Sequence, residues 1–252
     1  MARIGELPLR TFALATVRAL PVVVLMLVWE GVARSGQVTP FMLPAFSDVA
    51  ARIWTDAIAG DLLVNTRVTL YRALVGFFIA AVAGILIGVA MARSAVARWF
   101  FDPIVSVGFP MPKIAFLPII MLWLGLFDVS KIAMVVLDAI FPVVTATIAG
   151  IAGVERELIW QIVLPAALPQ ILTGLQVALP IALIVAIVAE MAMGGYGLGG
   201  AMMMSSRFAD SRGVFAGIVE IAAVGYGLIK LMAVLRRRLL LWHQEALEPT
   251  TV

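Results

Sequence analysis

The sequence predicts an all-α membrane protein with six transmembrane helices. Two compositional facts and one pattern predict it. Hydrophobic residues make up 63% of the 252 residues without glycine, and charged residues only 13%. A soluble domain is about 45–50% apolar with glycine counted and about 25% charged, so a soluble fold could not hide this much apolar surface. The pattern is a series of apolar stretches near the length of about 20 residues that a spanning helix needs. They run over 19–33, 68–91, 104–126, 132–151, 168–193 and 214–235.

The same composition excludes several functions. Without cysteine there is no disulfide framework, zinc ribbon, iron–sulfur cluster or thiol nucleophile. The single histidine, His243, lies in the polar tail and reads as a solvated surface residue. It cannot supply the two histidines of a zinc-protease helix. The net charge of +3 comes from dispersed basic residues, with one cluster at Arg236–Arg238 that suits an anchor against anionic headgroups.

The first stretch follows Arg3, Arg10 and Arg18 and reads either as a signal peptide or as a retained anchor. Val32-Ala33-Arg34 is a poor cleavage site, because arginine is not small. Basic residues set the orientation. With the N-terminus inside, Arg3, Arg10, Arg18, Arg93, Arg98, Arg156 and Arg236–Arg238 are cytoplasmic, against Arg52, Lys131, Arg207 and Arg212 outside. Both termini then lie inside, which needs an even number of spans. The division is 1–18 cytoplasmic, 19–35 the first transmembrane helix, 36–67 an outer segment, 68–235 a five-helix core with a cytoplasmic segment at 150–165, and 236–252 a cytoplasmic tail.

In the outer segment, Ser47 is placed to cap a short helix with Asp48 at its positive end. Val49, Ile53, Trp54, Ala57 and Ile58 share one face, and Gly60-Asp61 ends it. Gly84 and Gly88 in the second span form a GxxxG pair, which allows close helix contact within the chain or at a dimer seam. The third span carries Pro110, Pro112 and Pro118, which kink it. Disturbed backbone at membrane depth survives only against protein or a watery cavity, so this span lines something. Lys113 between the prolines either snorkels to the inner interface or serves a pathway.

Acids inside spans are costly and therefore informative. Glu30, Asp138, Glu190 and Glu220 qualify. Asp138 and Glu190 should face the bundle interior, either pairing helices together or touching a solute. The run Gly194–Gly200 fails as a phosphate loop, since no Lys-Ser/Thr follows its glycines. It reads as a flexible outer turn. Between spans four and five, 154–163 can form one short amphipathic cytoplasmic helix, a docking element for a soluble partner.

At this segment the chain resembles a known family. Ile162-Val163-Leu164-Pro165-Ala166-Ala167-Leu168-Pro169 is similar to the end of the EAA loop of binding-protein-dependent ABC importer permeases. Leu43-Pro44, Leu70-Tyr71-Arg72 through Gly76-Phe77, Phe109-Pro110 through Pro118, Leu122-Trp123-Leu124-Gly125, Phe141-Pro142, Val188-Ala189-Glu190 and Gly197-Leu198-Gly199 resemble the aliphatic sulfonate, taurine and nitrate branch. The resemblance covers about residues 40–243 and rests on order and spacing more than on any single motif.

The resemblance implies an inner-membrane permease of the type I importer fold. It implies a second permease chain, cytoplasmic ABC ATPase subunits that carry the ATP and magnesium, and a periplasmic solute-binding protein. This chain itself would be no enzyme and bind no cofactor or metal. The coupling residues it implies are Val154, Glu155, Arg156, Glu157, Leu158, Gln161, Ile162, Leu164 and Pro165. The path, lined by the middle spans, would include Lys113, Phe116, Asp138, Glu190 and Met193. One departure stands out. No Glu-Ala-Ala precedes Gly153, and the loop is short by several helical turns. Either the coupling helix lacks its first half, or a segment is absent from the sequence. A self-sufficient secondary transporter or channel using Asp138 and Glu190 is the alternative. An intramembrane aspartyl dyad of Asp138 with Asp102 or Asp128 is a remoter third.

Overall fold

The computed structural model describes residues 7–152 and 164–240, with side chains from residue 20 in the first stretch and from residue 166 in the second. Among these residues the chain is helical. α1 spans Leu7–Arg34, α2 Phe46–Ala59, α3 Asp61–Arg93 and α4 Ala95–Gly108. A 3-10 turn at Lys113–Phe116 leads into α5 (Leu117–Leu124), then α6 (Asp128–Ala152), α7 (Leu164–Met193), α8 (Leu198–Arg207) and α9 (Ser211–Leu239). α3, α6, α7 and α9 are each long and apolar enough to cross a membrane.

α3, α6 and α7 form the core, and small residues set their spacing. A β-carbon at Gly76, Gly84 or Gly88 would come within 2.5–2.8 Å of Val135, Val143 or Thr147 on α6. The GxxxG pair therefore serves close packing within the chain. The partner numbers rise together along both helices, so α3 and α6 run parallel. Gly174 meets Ala146 and Gly150 meets Ala167, so α7 runs antiparallel to α6.

The third span departs from expectation. It is broken rather than kinked: α4 and the α5 segment meet at 97°. Phe109 is still helical and donates to Val105 O, but Pro110 and Pro112, two apart, have no N–H to continue the ladder, so the helix stops there. Pro112 is extended, and Pro118 sits in the first turn of α5, where its missing N–H costs nothing. Because α6 starts at the same end as α3, the broken pair carries the chain back across the bundle as one crossing. That makes five. α1, at about 42 Å for its 28 residues, is long enough to be a sixth.

α1 is tied in at its C-terminal end. Trp29 packs its ring on Phe46 and Phe215 and donates its indole N–H to Pro44 O at 2.9 Å. α2 forms as expected and ends at Gly60 in the left-handed region, but Ser47 is not its cap. The helix begins two residues earlier, at Phe46 with Ala45 at the cap, and the carboxylate of Glu30 reaches across from α1 to accept the Ser47 N–H at 3.1 Å. An anion there suits the helix dipole. Val49 is buried, while Trp54 and Ile58 stay exposed on the outer face.

Asp210 caps α9 by accepting the Gly213 N–H, and its other oxygen meets Arg52 Nη1 of α2 at 2.5 Å. Burial works against its charge, but the Gly213 N–H and the Arg52 guanidinium outweigh it and hold the carboxyl below its ordinary 3.8. A lowered folded value means the contribution is whole above pH 3.8 and lost as pH falls through the folded value. Asp210→Ala is expected to cost about 1 kcal/mol near neutral pH, by loss of the cap. Thermal melts of the two proteins should converge under acid.

Candidate functional site

Two polar assemblies stand out inside the apolar bundle. The first lies at the end that carries α2 and α8. Asn65, Thr69 and Arg72 follow one another at i, i+4 and i+7, so α3 presents them on one stripe. The first turn of α6 adds Asp128 and Lys131, and the last turn of α7 adds Glu190.

Glu190 is fully buried and every contact is filled. Arg72 Nη1 lies 2.7 Å from Glu190 Oε1, and Arg72 Nη2 lies 2.6 Å from Asp128 Oδ1. Thr69 donates to Glu190 Oε2 at 2.8 Å, and the Gly199 N–H of α8 donates to the same oxygen at 3.1 Å. The glycine-rich turn is therefore not flexible as expected. Arg72 donates to Tyr196 O, Lys131 to Gly194 O, Gly197 N–H to Asn65 Oδ1 and Leu198 N–H to Thr69 Oγ1. Gly197, at φ +127°, has no room for a side chain, since a β-carbon would lie 2.3 Å from Glu190 Cδ. Two acids and two bases balance, and the buried charges are hydrogen-bonded, the condition under which an ion cluster survives burial. Chemically this is a clamp on the ends of three helices.

The second assembly lies near the middle of α6. Lys113 Nζ sits 3.1 Å from Asp138 Oδ1, donates to Phe109 O at 2.8 Å and lies 4.8 Å from the Phe141 ring centre. Lys113 therefore does not snorkel to an interface. The break in the third span delivers it to mid-helix.

The expected path residues divide. Lys113 and Asp138 meet. Phe116 and Met193 share an apolar cluster with Ile120 and Met134, in which Met193 is buried. Glu190 belongs to the clamp and is apart from Asp138. The aspartyl pairing fails on geometry, since Asp138 is held by Lys113 and Asp128 by Arg72. Of the coupling residues, Val154, Glu155, Arg156, Glu157, Leu158, Gln161 and Ile162 lie outside the described residues. Leu164 and Pro165 open α7. No group of three or more metal-ligating side chains occurs among the described residues.

Sequence reasoning missed Arg72, Thr69, Asn65, Asp128 and Lys131 as partners of Glu190. One signal was available. A cation inside an apolar span needs a partner there, and Arg72 is such a cation.

Residues 76–241 match the family model described as the binding-protein-dependent transport system inner membrane component. The chain belongs to that family. Such chains are permease subunits of the membrane and not enzymes. This permease is 32% identical to the putative aliphatic sulfonates transport permease protein SsuC of Bacillus subtilis, over 87% of this chain and 85% of that one. It is 31% identical to the taurine transport system permease protein TauC of Escherichia coli, over 88% of each. The riboflavin transport system permease protein RibX of Chloroflexus aurantiacus is 30% identical over 89% of this permease and 90% of its own length. The match to SsuC extends over 234 positions, yet 87% of 252 residues is about 219, so about 15 positions there have no counterpart in this permease. A solved structure, titled inward facing conformations of the MetNI methionine ABC transporter, covers 75% of this permease at 15% identity and a TM-score of 0.46.

Proposed function

We propose that this permease imports a small oxyanion, of the sulfonate or taurine kind, in a dimer driven by separate ATPase chains. A periplasmic binding protein delivers the solute to the end carrying α2 and α8. Both termini and the 150–165 segment lie on the cytoplasmic side. ATP and magnesium belong to the ATPase, and this chain holds no cofactor. The observation that carries the reading is the match to sulfonate and taurine permeases over most of the chain. The Lys113–Asp138 pair near mid-membrane supplies a cation that an anionic solute can compete for. Phe116 and Met193 back that path from the cluster behind it. Glu190 supports it indirectly, by holding α3, α6 and α7 together at the outer end.

Coupling falls to Val154, Glu155, Arg156, Glu157, Leu158, Gln161 and Ile162, with Leu164 and Pro165 at the root of α7. By its resemblance the loop is several helical turns shorter than the family's, and no Glu-Ala-Ala precedes Gly153. The test is simultaneous alanine substitution of Glu155, Arg156, Glu157 and Gln161. Co-purifying ATPase should fall at least tenfold while the permease itself is recovered in full. Unchanged co-purification and uptake would sink the assignment of this segment.

A further inference from the structure

α6 and α7 leave one flank open, and a few polar side chains are set into its apolar surface. On α6, Asp138, Phe141, Thr145 and Ala149 recur at helical spacing along one stripe. On α7, Gln170, Thr173, Gly174 and Val177 do the same. Between them lies a cavity of about 340 Å³, with Phe109 at one edge. Small residues make the space, since Ala146 and Gly174 face each other where larger side chains would fill it.

The polar groups are placed in sequence. Lys113 lies over the Phe109 and Phe141 rings at one end. Thr145 is exposed in the middle and Gln170 at the far end, beside Gly150. Gln170 makes no hydrogen bond among the described residues, an unspent amide on an apolar helix. Level with Thr145, Arg236 of α9 donates to Thr173 Oγ1 at 3.3 Å and to Gln176 Oε1 at 2.8 Å. Its buried Nε–H has no partner among the described residues. The Thr145 and Thr173 hydroxyls are spent on carbonyls of their own helices, but the Gln170 amide would be penalised against hydrocarbon, whereas a watery passage accepts it. One cation stands at the Phe109 end and a second beside Thr173, and the only acid on the stripe, Asp138, is already taken by Lys113.

We infer that this groove is the leg of the solute path that follows Lys113, and that it takes a small oxyanion, passed from Lys113 past Thr145, Thr173 and Arg236 to Gln170. The inference rests on the importer reading for its direction of travel, but the groove's charge preference is testable without it.

The chain has no cysteine, so single cysteines can report the groove directly. Thr145→Cys and Gln170→Cys would be compared with Val82→Cys and Leu86→Cys, which lie exposed on the apolar face of α3. Each variant would be purified from membranes with whatever ATPase it binds. The probes are 2-sulfonatoethyl methanethiosulfonate and its trimethylammonium counterpart. The groove cysteines should react with the anionic reagent at least tenfold faster than the α3 cysteines and faster than with the cationic one. Lys113→Gln should abolish that charge preference. Groove rates equal to those on α3, or a preference for the cation, would overturn the inference. Anion preference with no bound ATPase would leave the groove standing and remove the importer reading. Bound ATPase with silent groove cysteines would do the reverse.

Discussion

Replacing Arg72 by leucine is expected to destabilise the bundle by about 3–5 kcal/mol, because it strands a buried carboxylate. Glu190 is fully buried, and Arg72 is its ion-pair partner within 4 Å among the described residues. Lys131 is close by, but its ammonium is spent on Gly194 O. Asp128 suffers less, since its side chain is 53% exposed and water can replace the guanidinium. The controls follow from that asymmetry. Asp128→Asn should cost only about 1 kcal/mol, the scale of an exposed pair. The double variant Arg72→Leu with Glu190→Leu should recover much of the single variant's loss, because no buried charge is left alone. Unfolding midpoints in mild detergent decide the matter. An Arg72→Leu protein within 1 kcal/mol of the parent, by the same scale, would show that the clamp does not hold the helices.

The expected ordering also explains what the sequence could and could not reveal. Helices of spanning length are legible because hydrophobicity is local and accumulates over about 20 residues. The Arg72–Glu190 pair joins positions 118 apart, and no local pattern encodes such a distance. Glu190 announced itself as an acid in an apolar run, but its partner required the fold. The prolines show a subtler limit. Pro142 and Pro180 stay inside α6 and α7, while Pro110 and Pro112 break the third span. One lost hydrogen bond is tolerated in a packed helix; two prolines two residues apart, after a glycine, leave too few bonds to continue. The turn after α7 reversed the expectation about glycine. Glycines at 197 and 199 read as freedom, yet they matter for the absence of a side chain where Glu190 and the α7 backbone come close.

That use of glycine gives the second large effect. At Gly84 a β-carbon would lie 2.8 Å from Val143 Cβ and 3.1 Å from Ile140 O. Both contacts involve α6 atoms that no rotamer change can move, so even alanine forces the helices apart. Gly84→Ala should cost about 1–3 kcal/mol, the range for overpacking a tight core. Gly84→Leu should prevent recovery of a folded permease, because its branches have no space between α3 and α6. Val143→Ala should not rescue Gly84→Ala, since the β-carbon of residue 143 and the Ile140 carbonyl remain in place. Rescue would mean that the clash is with a movable methyl and that α3 and α6 are less closely fixed than the geometry requires. The parallel glycine contacts at Gly76 and Gly88 make the argument cumulative. The helices touch along about three turns, so separation at Gly84 also loosens the ends. One of those ends is where Arg72 must reach Asp128 and Glu190. A Gly84→Ala protein should therefore lose part of the Arg72 contribution as well. A cycle with Arg72→Leu should then give a combined loss smaller than the sum of the separate losses.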